Sequence, residues 1–311
     1  MPASVPTNEE FEQFKREVTA ASTAAAEAAQ RALDAIAEAV ERIDALEARL
    51  DPVPEPPATL YGYNLTSTSS LATLKTTIGD PAVVRMFFSG TPGSSAPVWG
   101  LGKTVHVSFK FDPTKAFPTS TLRTFLASKP EDTVAYVATY HEPEDNIGNG
   151  EFTAAQFRAF VTATTAVCRE FKNCYSTPTL MQWTLDSRSG RNIDDYLNGA
   201  EYDVLGWDVY PRSGTIGDIA EPLKGIHDES VKRGKPWVIG EVGAGSWIEG
   251  RSPVPYYSEA QRAEWMLKTV SQIEALSVRP QAVCWFLYPT GGAGFPLNSP
   301  ETQAAMRQIL G

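Results

Sequence analysis

We assign residues 1–50 to an N-terminal helical segment, in which residues 8–50 carry a helical apolar repeat without a helix breaker. Residues 8–50 contain neither proline nor glycine and are rich in Ala, Glu and Arg, which favours one long helix of roughly 64 Å. Its apolar stripe consists of Phe11, Phe14, Val18, Ser22, Ala25, Ala29, Leu33, Ile36, Val40, Ile43, Leu46 and Leu50. The steps are three and four residues, with an eleven-residue period early and a near-heptad period at the end.

Two arrangements would cover this stripe: a coiled coil with other copies of the chain, or a single amphipathic helix packed on the rest of the protein. We predict the coiled coil, because the helix is longer than most docking surfaces and its other faces are polar or alanine. The segment 51–57, DPVPEPP, then ends the helix with four prolines in seven residues. Such a segment forms a stiff, extended spacer, and we place the domain boundary there.

Eight apolar, β-favouring runs follow the linker. They are Thr59–Asn64, Ala82–Ser89, Thr104–Phe111, Thr133–Glu142, Thr177–Leu185, Asp203–Tyr210, Pro236–Val242 and Gln281–Tyr288. Several are almost continuously hydrophobic, as parallel strands buried on both faces are. The runs alternate with predicted helices at Phe152–Lys172, Ile216–Arg233, Ser258–Leu276 and Ser299–Leu310, with a shorter one at Leu71–Ile78, while residues 90–102 indicate mostly loop.

This alternation predicts an α/β fold, a (β/α)₈ TIM barrel, over residues 58–311. A doubly wound open sheet is the competing fold. It would need a glycine-rich first turn, and the Tyr61–Asn64 segment is not one.

Composition limits the class of partner. The net charge of −10 and the pI near 4.9 argue against nucleic acid or an anionic membrane surface, whereas a neutral polysaccharide is compatible. No run approaches eighteen apolar residues, and no basic segment precedes an apolar one at the N-terminus, so we expect neither a membrane span nor a signal peptide.

The cysteine and histidine patterns predict no metal site and no cofactor. Cys168, Cys174 and Cys284 give an odd count without a disulfide framework. A bridge between Cys168 and Cys174 is the alternative to three buried thiols. The three histidines are scattered, and neither a CxxC pair nor an HExxH motif occurs.

Two glutamates lie at the carboxyl ends of predicted barrel strands. Glu142 ends the fourth strand in a His141-Glu142-Pro143 sequence, and Glu241 follows Gly240 in the seventh. Active sites of (β/α)₈ barrels lie at the carboxyl ends of the strands. A carboxylate at the end of an apolar strand is also costly unless it is paired or used.

These two motifs resemble those of the large clan of (β/α)₈ glycoside hydrolases with catalytic glutamates on strands four and seven. The resemblance implies that Glu142 is the acid/base and Glu241 the nucleophile of a retaining reaction. Most of the clan has asparagine before the acid/base, so His141 resembles the mannanase-like branch. Glu144 and Asp145 follow closely and compete for the acid role.

The resemblance extends to residues that would bind substrate. It implies that Arg85 orients the nucleophile, that Tyr210 places a hydroxyl near it, and that Trp285 forms a sugar-binding floor. Alternatives remain, because Arg85 also fits a barrel salt bridge and Trp285 a core aromatic. The predicted substrate-binding set also includes His141, Asp208, Trp183 and Trp247. The two tryptophans are included because aromatic faces stack on sugar rings.

A hydrolase barrel on an oligomerising helix resembles a minor tail or tail-fibre protein of a bacteriophage. That organisation implies virion localisation, a trimer rather than a dimer, other tail proteins as possible partners, and avid attachment to cell-surface glycan. A hydrolase of the bacterial surface or the cytosol is the alternative. Fold alone does not settle function. A catalytically silent glycan-binding receptor module and a structural tail component therefore remain the alternatives to an enzyme.

Overall fold

The computed structural model describes residues 8–47, 58–65, 67–90, 97–211, 218–244, 258–288 and 297–311. The chain divides into two compact units, Met1–Pro56 and Pro57–Gly311. No described helix is both long enough and apolar enough to span a membrane.

The N-terminal unit is built on helix α1, Asn8–Glu47. Side-chain bonds four residues apart, such as Gln13 to Glu17 and Gln30 to Asp34, support its polar faces. Among the stripe residues whose side chains the structure describes, the large apolar ones are exposed: Phe11, Phe14, Val18, Leu33, Ile36 and Val40. The coiled coil stays a prediction, and residues 48–50 of the predicted helix lie outside the described residues.

The second unit contains a sheet of parallel strand segments in the order β5-β4-β3-β2-β1-β9-β8-β7-β6. Their bounds are Leu60–Leu65, Val83–Phe88, Thr104–Phe109, Val134–Ala138, Cys174–Ser176, Thr179–Met181, Leu205–Val209, Trp237–Val242 and Ala282–Trp285 for β1 to β9. This curled sheet is TIM-barrel-like, as the sequence predicts.

The fifth barrel strand is interrupted at Thr177 and Pro178. Its first part, β5, pairs with β4, and its second part, β6, pairs with β7. Pro178 has no N–H to donate, but its carbonyl accepts from Gly206 at 2.9 Å, while Thr177 donates to Val137 at 2.8 Å. The two parts therefore close the barrel as one strand that passes from one neighbour to the other.

Eight described helices accompany the strands, and some of them begin at side-chain caps. Their bounds are Ser70–Ile78, Thr119–Ala127, Glu144–Gly148, Ala154–Cys168, Ile193–Leu197, Ala220–Lys232, Glu259–Glu274 and Pro300–Leu310 for α2 to α9. Capping boxes start α5 at Thr153 with Gln156 and α8 at Ser258 with Gln261. After α7, Gly234 takes a positive φ of 61°, which suits a glycine at a helix end.

Some predicted elements differ from the structure. The predicted strand Thr177–Leu185 is wrong in its last four residues, because Gln182–Leu185 forms a 3₁₀ turn. Regular pairing of β4 also ends at Ala138, and beyond it only isolated bridges remain, at Tyr140 and His141. The sequence patterns did not predict α3, α4 and α6. Cys168, Cys174 and Cys284 are free, buried thiols, so no Cys168–Cys174 bridge forms.

Candidate active site

Three carboxyl groups meet where β4, β7 and β8 end. Glu142 follows β4, whereas Asp208 and Glu241 belong to β7 and β8. One carboxylate oxygen of each lies within 4.8 Å of the others. Glu142 and Glu241 border a cavity of about 700 Å³, whose wall also includes Phe87, Lys110, His141, Tyr210, Phe286 and Tyr288. The cavity lies at the end of the barrel where such folds carry active sites.

Glu142 leaves its strand in an unusual backbone conformation. Its φ is +48°, in the left-handed region that residues other than glycine seldom adopt. The Glu142 N–H donates to the carbonyl oxygen of Thr179 in β6 at 2.9 Å, which fixes the backbone at this point. Strain of this kind costs on the order of 1–3 kcal/mol and clusters at functional sites. The conformation supports a functional role for the Glu142 carboxyl.

Arg85 of β2 lies among the carboxylates and is fully buried. Its Nη1 donates to Asp208 Oδ1 at 2.7 Å and lies 3.4 Å from Glu241 Oε1, and its Nε donates to Ser108 Oγ at 3.2 Å. Burial opposes the charge on Arg85, but Asp208 and Glu241 outweigh it and hold the pKa of the guanidinium above its ordinary value. Arg85 thus stays a cation beside Glu241.

Besides the Arg85 cation, Glu241 contacts Tyr210, whose hydroxyl donates a hydrogen bond to Oε2. Burial, followed by the charge of Glu241, raises the pKa of Tyr210 well above its usual range, so the phenol remains a neutral donor. Gly240, next to Glu241, is required by space. A Cβ there would lie 2.4 Å from Arg85 Nη1 and 2.8 Å from Asp208 Oδ1. The Arg85 ion pair, the Tyr210 hydrogen bond and the glycine together fix the Glu241 carboxylate in place.

The environment of Glu142 differs from that of Glu241. Burial, and then the charge of Glu241, raises the pKa of Glu142 to about 7, against the opposing charges of Arg85 and Lys110. Near neutral pH the Glu142 carboxyl can therefore still hold its proton. The Glu241 carboxylate beside it is paired with the Arg85 cation and accepts a hydrogen bond from Tyr210. Such a pair can supply an acid and a nucleophile at the same time.

His141 and Lys110 line the same cavity. Burial, and then the charges of Arg85 and Lys110, lowers the pKa of His141 well below its ordinary value, so the ring is neutral. The His141 Nδ1 atom is buried and has no hydrogen-bond partner among the described residues. Lys110 Nζ donates to the His141 carbonyl at 2.6 Å and lies 4.4 Å from the centre of the Tyr140 ring. Lys110 was not predicted as a site residue, because it lies inside the predicted third strand, Thr104–Phe111, and belongs to no motif.

Three predicted tryptophans have different positions. Trp285 is only 2% exposed and packs edge-on against Trp265 of α8, with 5.8 Å between ring centres. This position agrees with the core-aromatic alternative for Trp285, while Phe286, the next residue, borders the cavity. Trp183 is 38% exposed in the turn after β6, outside the cavity wall. Trp247 lies outside the described residues.

The two competing acids lie away from the cavity wall. Glu144 is buried at the start of α4, where its carboxylate accepts bonds from Met181 and Thr184. Asp145 forms an ion pair with Arg191 on the surface of the barrel. Neither borders the cavity as Glu142 does.

The carboxylates of Glu142, Asp208 and Glu241 are close enough to hold a metal ion. However, Arg85 already contacts two of them, at 2.7 Å and 3.4 Å. A second cation beside this guanidinium would be repelled. The arrangement fits an ion-pair network better than a metal centre.

Comparison with known protein families finds no matching family model, and comparison with curated proteins finds no relative. Solved structures do match. An endo-β-1,3-glucanase of glycoside hydrolase family 128 from Amycolatopsis mediterranei is 12% identical, with a TM-score of 0.53 over 81% of this chain and 99% of that one.

Two further structures have the same fold. A modular endo-β-1,4-mannanase of family 26 from Cellulomonas fimi is 16% identical, with a TM-score of 0.56 over 80% of this chain and 70% of that one. A β-1,3-glucanosyltransferase from Rhizomucor miehei is 14% identical, with a TM-score of 0.55 over 78% and 94%. This chain shares the barrel fold of these enzymes. At these identities the likeness establishes the fold alone.

Proposed function

We propose that the barrel is a retaining glycoside hydrolase that acts on a cell-surface or cell-wall polysaccharide. The observation that carries the proposal is the Glu142–Glu241 pair, with carboxylate oxygens within 4.8 Å of each other at the edge of the cavity. Retaining enzymes hold their two carboxyl groups about 5–5.5 Å apart, whereas inverting enzymes need about 6.5–9.5 Å to admit water. The short separation supports the retaining reaction.

Each residue of the site has a role in this reaction. The Glu142 carboxylic acid gives its proton to the glycosidic oxygen as that bond to the anomeric carbon breaks. Glu241 attacks the same carbon and forms a covalent glycosyl-enzyme. Glu142, now a carboxylate, then takes a proton from water, whose oxygen displaces Glu241 and completes hydrolysis. Arg85 and Tyr210 hold Glu241 in line for both steps.

The substrate class follows from the cavity wall, the charge and the structural neighbours. The cavity wall contains two aromatic rings that suit the apolar face of a sugar, those of Phe286 and Tyr288, and one polar ring, that of His141. The net charge of −10 favours a neutral polymer over a polyanion. The neighbours cleave or transfer β-1,3-glucan and β-1,4-mannan chains. We therefore propose a neutral β-linked glycan, with Trp183 as an outer platform for it.

A substrate panel tests the proposal. It contains aryl β-glucoside and aryl β-mannoside, β-1,3-gluco- and β-1,4-manno-hexasaccharides, and bacterial cell-wall polysaccharides. Turnover is measured for the parent protein, for Glu142→Gln and Glu241→Gln, and for Glu131→Gln as a matched control at an exposed glutamate. Activity that survives only in the control supports the enzyme. Binding without turnover, unchanged in all variants, would make the barrel a silent glycan-binding module.

The pH dependence should follow Glu142. Because only its protonated form can act as the acid, kcat/KM should fall as pH rises through an apparent pKa of about 7. Lys110 opposes the raised pKa of Glu142, so Lys110→Met should shift this alkaline limb to higher pH. The test is a pH–rate profile of both proteins on an aryl glycoside. A limb that stays in place, or moves to lower pH, would contradict the electrostatic assignment.

We also propose that α1 assembles the chain into a trimeric coiled coil that carries the barrel on a phage tail. The exposed apolar stripe of α1 supports assembly, since Phe14 and Ile36 are each 61% exposed. Several barrels on one stem would strengthen weak glycan binding. The location is tested by whether antibodies against the barrel label the tails of purified phage particles, as we expect. Absence of the protein from purified particles would rule it out.

The assembly has a direct test in solution. Light scattering should give the mass of three chains for the parent protein. Leu33→Asp combined with Ile36→Asp places two charges in the stripe and should give one chain. Ala35→Asp, a charge off the stripe on the same helix, should leave the trimer intact. A parent protein with the mass of one chain would refute the coiled coil.

A further inference from the structure

Glu144 is a buried carboxyl that the proposed mechanism does not use. Only 1% of its surface is exposed, although it lies two residues after Glu142. Its Oε1 accepts one bond from the Met181 N–H and one from the Thr184 hydroxyl, both at 2.8 Å. Its Oε2 is buried without a hydrogen-bond partner in the part of the chain that the structure describes. A carboxyl in such a place needs an explanation, because burial opposes its charge.

One donor, Met181, immediately precedes the 3₁₀ turn Gln182–Leu185, and the other, Thr184, lies within it. This turn begins immediately after β6, whose residues contact the catalytic elements. Met181 is the register partner of Asp208, and the Thr179 carbonyl accepts from the Glu142 N–H. The turn therefore starts at the level of the catalytic carboxylates, on the same end of the barrel.

Trp183 lies in this turn between the two residues that Glu144 holds. Its side chain is 38% exposed, and the Arg188 guanidinium lies 5.2 Å from the ring centre. The side chain of Trp183 is large, aromatic and exposed, and the buried Glu144 carboxyl fixes the turn that carries it. These are the features of a rigid stacking surface. Neutral sugar rings are the ligands that such surfaces bind, through their apolar C–H faces.

We propose that Glu144 is a positioning residue that fixes Trp183 as an outer sugar-binding platform beside the Glu142–Glu241 pair. This inference rests on the proposed function and adds a residue to it. Glu144 touches no substrate. It acts through the backbone of residue 181 and the hydroxyl of residue 184, and so determines how tightly long glycans bind rather than how fast the bond breaks.

Several charged or titratable groups face Glu144. They are Glu142, Lys110, Asp145, Arg191 and Tyr196. Burial dominates over the hydrogen bonds and the charge of Arg191, and raises the pKa of Glu144 to about 7. Glutamine reproduces the neutral form of this side chain and keeps the acceptor oxygen, so Glu144→Gln is the conservative variant. Leucine has a similar size and accepts no hydrogen bond.

The test compares a long and a short substrate. We expect Glu144→Leu to weaken binding of the panel's hexasaccharides about tenfold, the change that corresponds to 1.4 kcal/mol, and to leave kcat on the aryl glycosides unchanged. Glu144→Gln should restore parent affinity. Trp183→Ala should weaken hexasaccharide binding as Glu144→Leu does, and the double variant should be no weaker than Trp183→Ala alone, because both act through one platform.

Thr184→Val provides a second route if Glu144→Leu does not fold. It removes one of the two donors at nearly constant shape, and a smaller loss of hexasaccharide affinity with unchanged aryl glycoside turnover is expected. Additive effects of Glu144→Leu and Trp183→Ala would overturn the inference, as would equal losses on long and short substrates.

Calorimetric binding separates this inference from the proposed function. If the parent protein binds the hexasaccharides without turnover, the enzyme proposal fails, and the affinities of the variants still decide the role of Glu144. If the parent protein binds neither hexasaccharide, the inference fails as well.

A stability measurement checks the chemistry of the buried carboxyl independently of any sugar. The pKa of Glu144 is about 7 in the folded protein, above its ordinary value of 4.5. The unfolded chain therefore loses this proton first as pH rises, and stability declines between those values. Glu144→Gln should match the parent melting temperature at pH 4.5 and exceed it at pH 8. If Glu144→Gln melted below the parent protein at pH 8, the fold would require the ionised form of Glu144. That result would overturn the view that Glu144 acts as a neutral hydrogen-bond acceptor.

Discussion

Glu241→Gln is expected to lower kcat by more than about 10⁴-fold, the range found when the residue that forms a covalent intermediate is removed. Glutamine keeps the shape of the side chain and can still accept the hydrogen bond from Tyr210, but it cannot attack the anomeric carbon. The loss should appear on aryl glycosides and polysaccharides alike, and KM should change little. Steady-state kinetics of the purified variant checks it.

Glu142→Gln should behave differently on the two kinds of substrate. General acid catalysis contributes about 10²–10⁴-fold, and an aryl leaving group needs less help from an acid than a sugar does. Glu142→Gln should therefore retain more activity on aryl glycosides than on polysaccharide. Added azide should speed the second step of Glu142→Gln and form a glycosyl azide. Equal losses on both substrates, with no azide product, would reject Glu142 as the acid/base.

Arg85→Met is expected to lower the free energy of unfolding by about 3–5 kcal/mol, the usual effect of removing one partner from a buried ion pair. The substitution would leave the Asp208 carboxylate, which has no exposed surface, without its cation at 2.7 Å. Glu241 would lose its cation as well. Denaturant unfolding at pH 7 measures the change. Adding Asp208→Asn should recover part of the loss, because an amide tolerates burial better than an unpaired carboxylate.

Arg123→Met is the matched control for this substitution. Arg123 also makes a two-point ion pair, with Glu170, but both side chains are largely exposed. Water and salt weaken such a pair, so its removal should change stability far less. An Arg85→Met variant as stable as Arg123→Met would mean that the buried network does not hold the site together.

The positions of Glu142 and Glu241 could be predicted because each lies at the end of a strongly apolar strand. Strand burial and parallel order follow from local sequence, and parallel strands bring their carboxyl ends to one edge. Gly240 is part of the same signal, although its reason is visible only in space: Arg85 and Asp208 fill the volume that a side chain would need.

The sequence left Trp285 open between the cavity and the core, because alternation does not reveal which face of a strand is which. Neighbouring residues of a strand point to opposite sides, so either Trp285 or Phe286 could have met the cavity. Only packing decides, since Trp265 on α8 offers Trp285 a partner outside the barrel. A one-residue difference of this kind moves a side chain from the site to the core.

The turn with Trp183 escaped prediction for a related reason. Residues 177–185 are apolar enough to favour a strand, but Thr177 and Pro178 already interrupt the pairing. Two bonds from Glu144, a residue nearly forty positions earlier, then hold residues 181 and 184 in a 3₁₀ turn. Long-range hydrogen bonds leave no pattern in a local window, and the same holds for Lys110.

The most direct test of the proposed function is the anomeric configuration of the first product. Proton NMR of the parent protein acting on the oligosaccharide that the panel identifies, recorded before mutarotation, shows which anomer forms first. We expect the anomer of the substrate, because attack by Glu241 and then by water inverts the carbon twice. The opposite anomer would contradict the assignment of Glu241 as nucleophile, and no cleavage at all would contradict the enzyme itself.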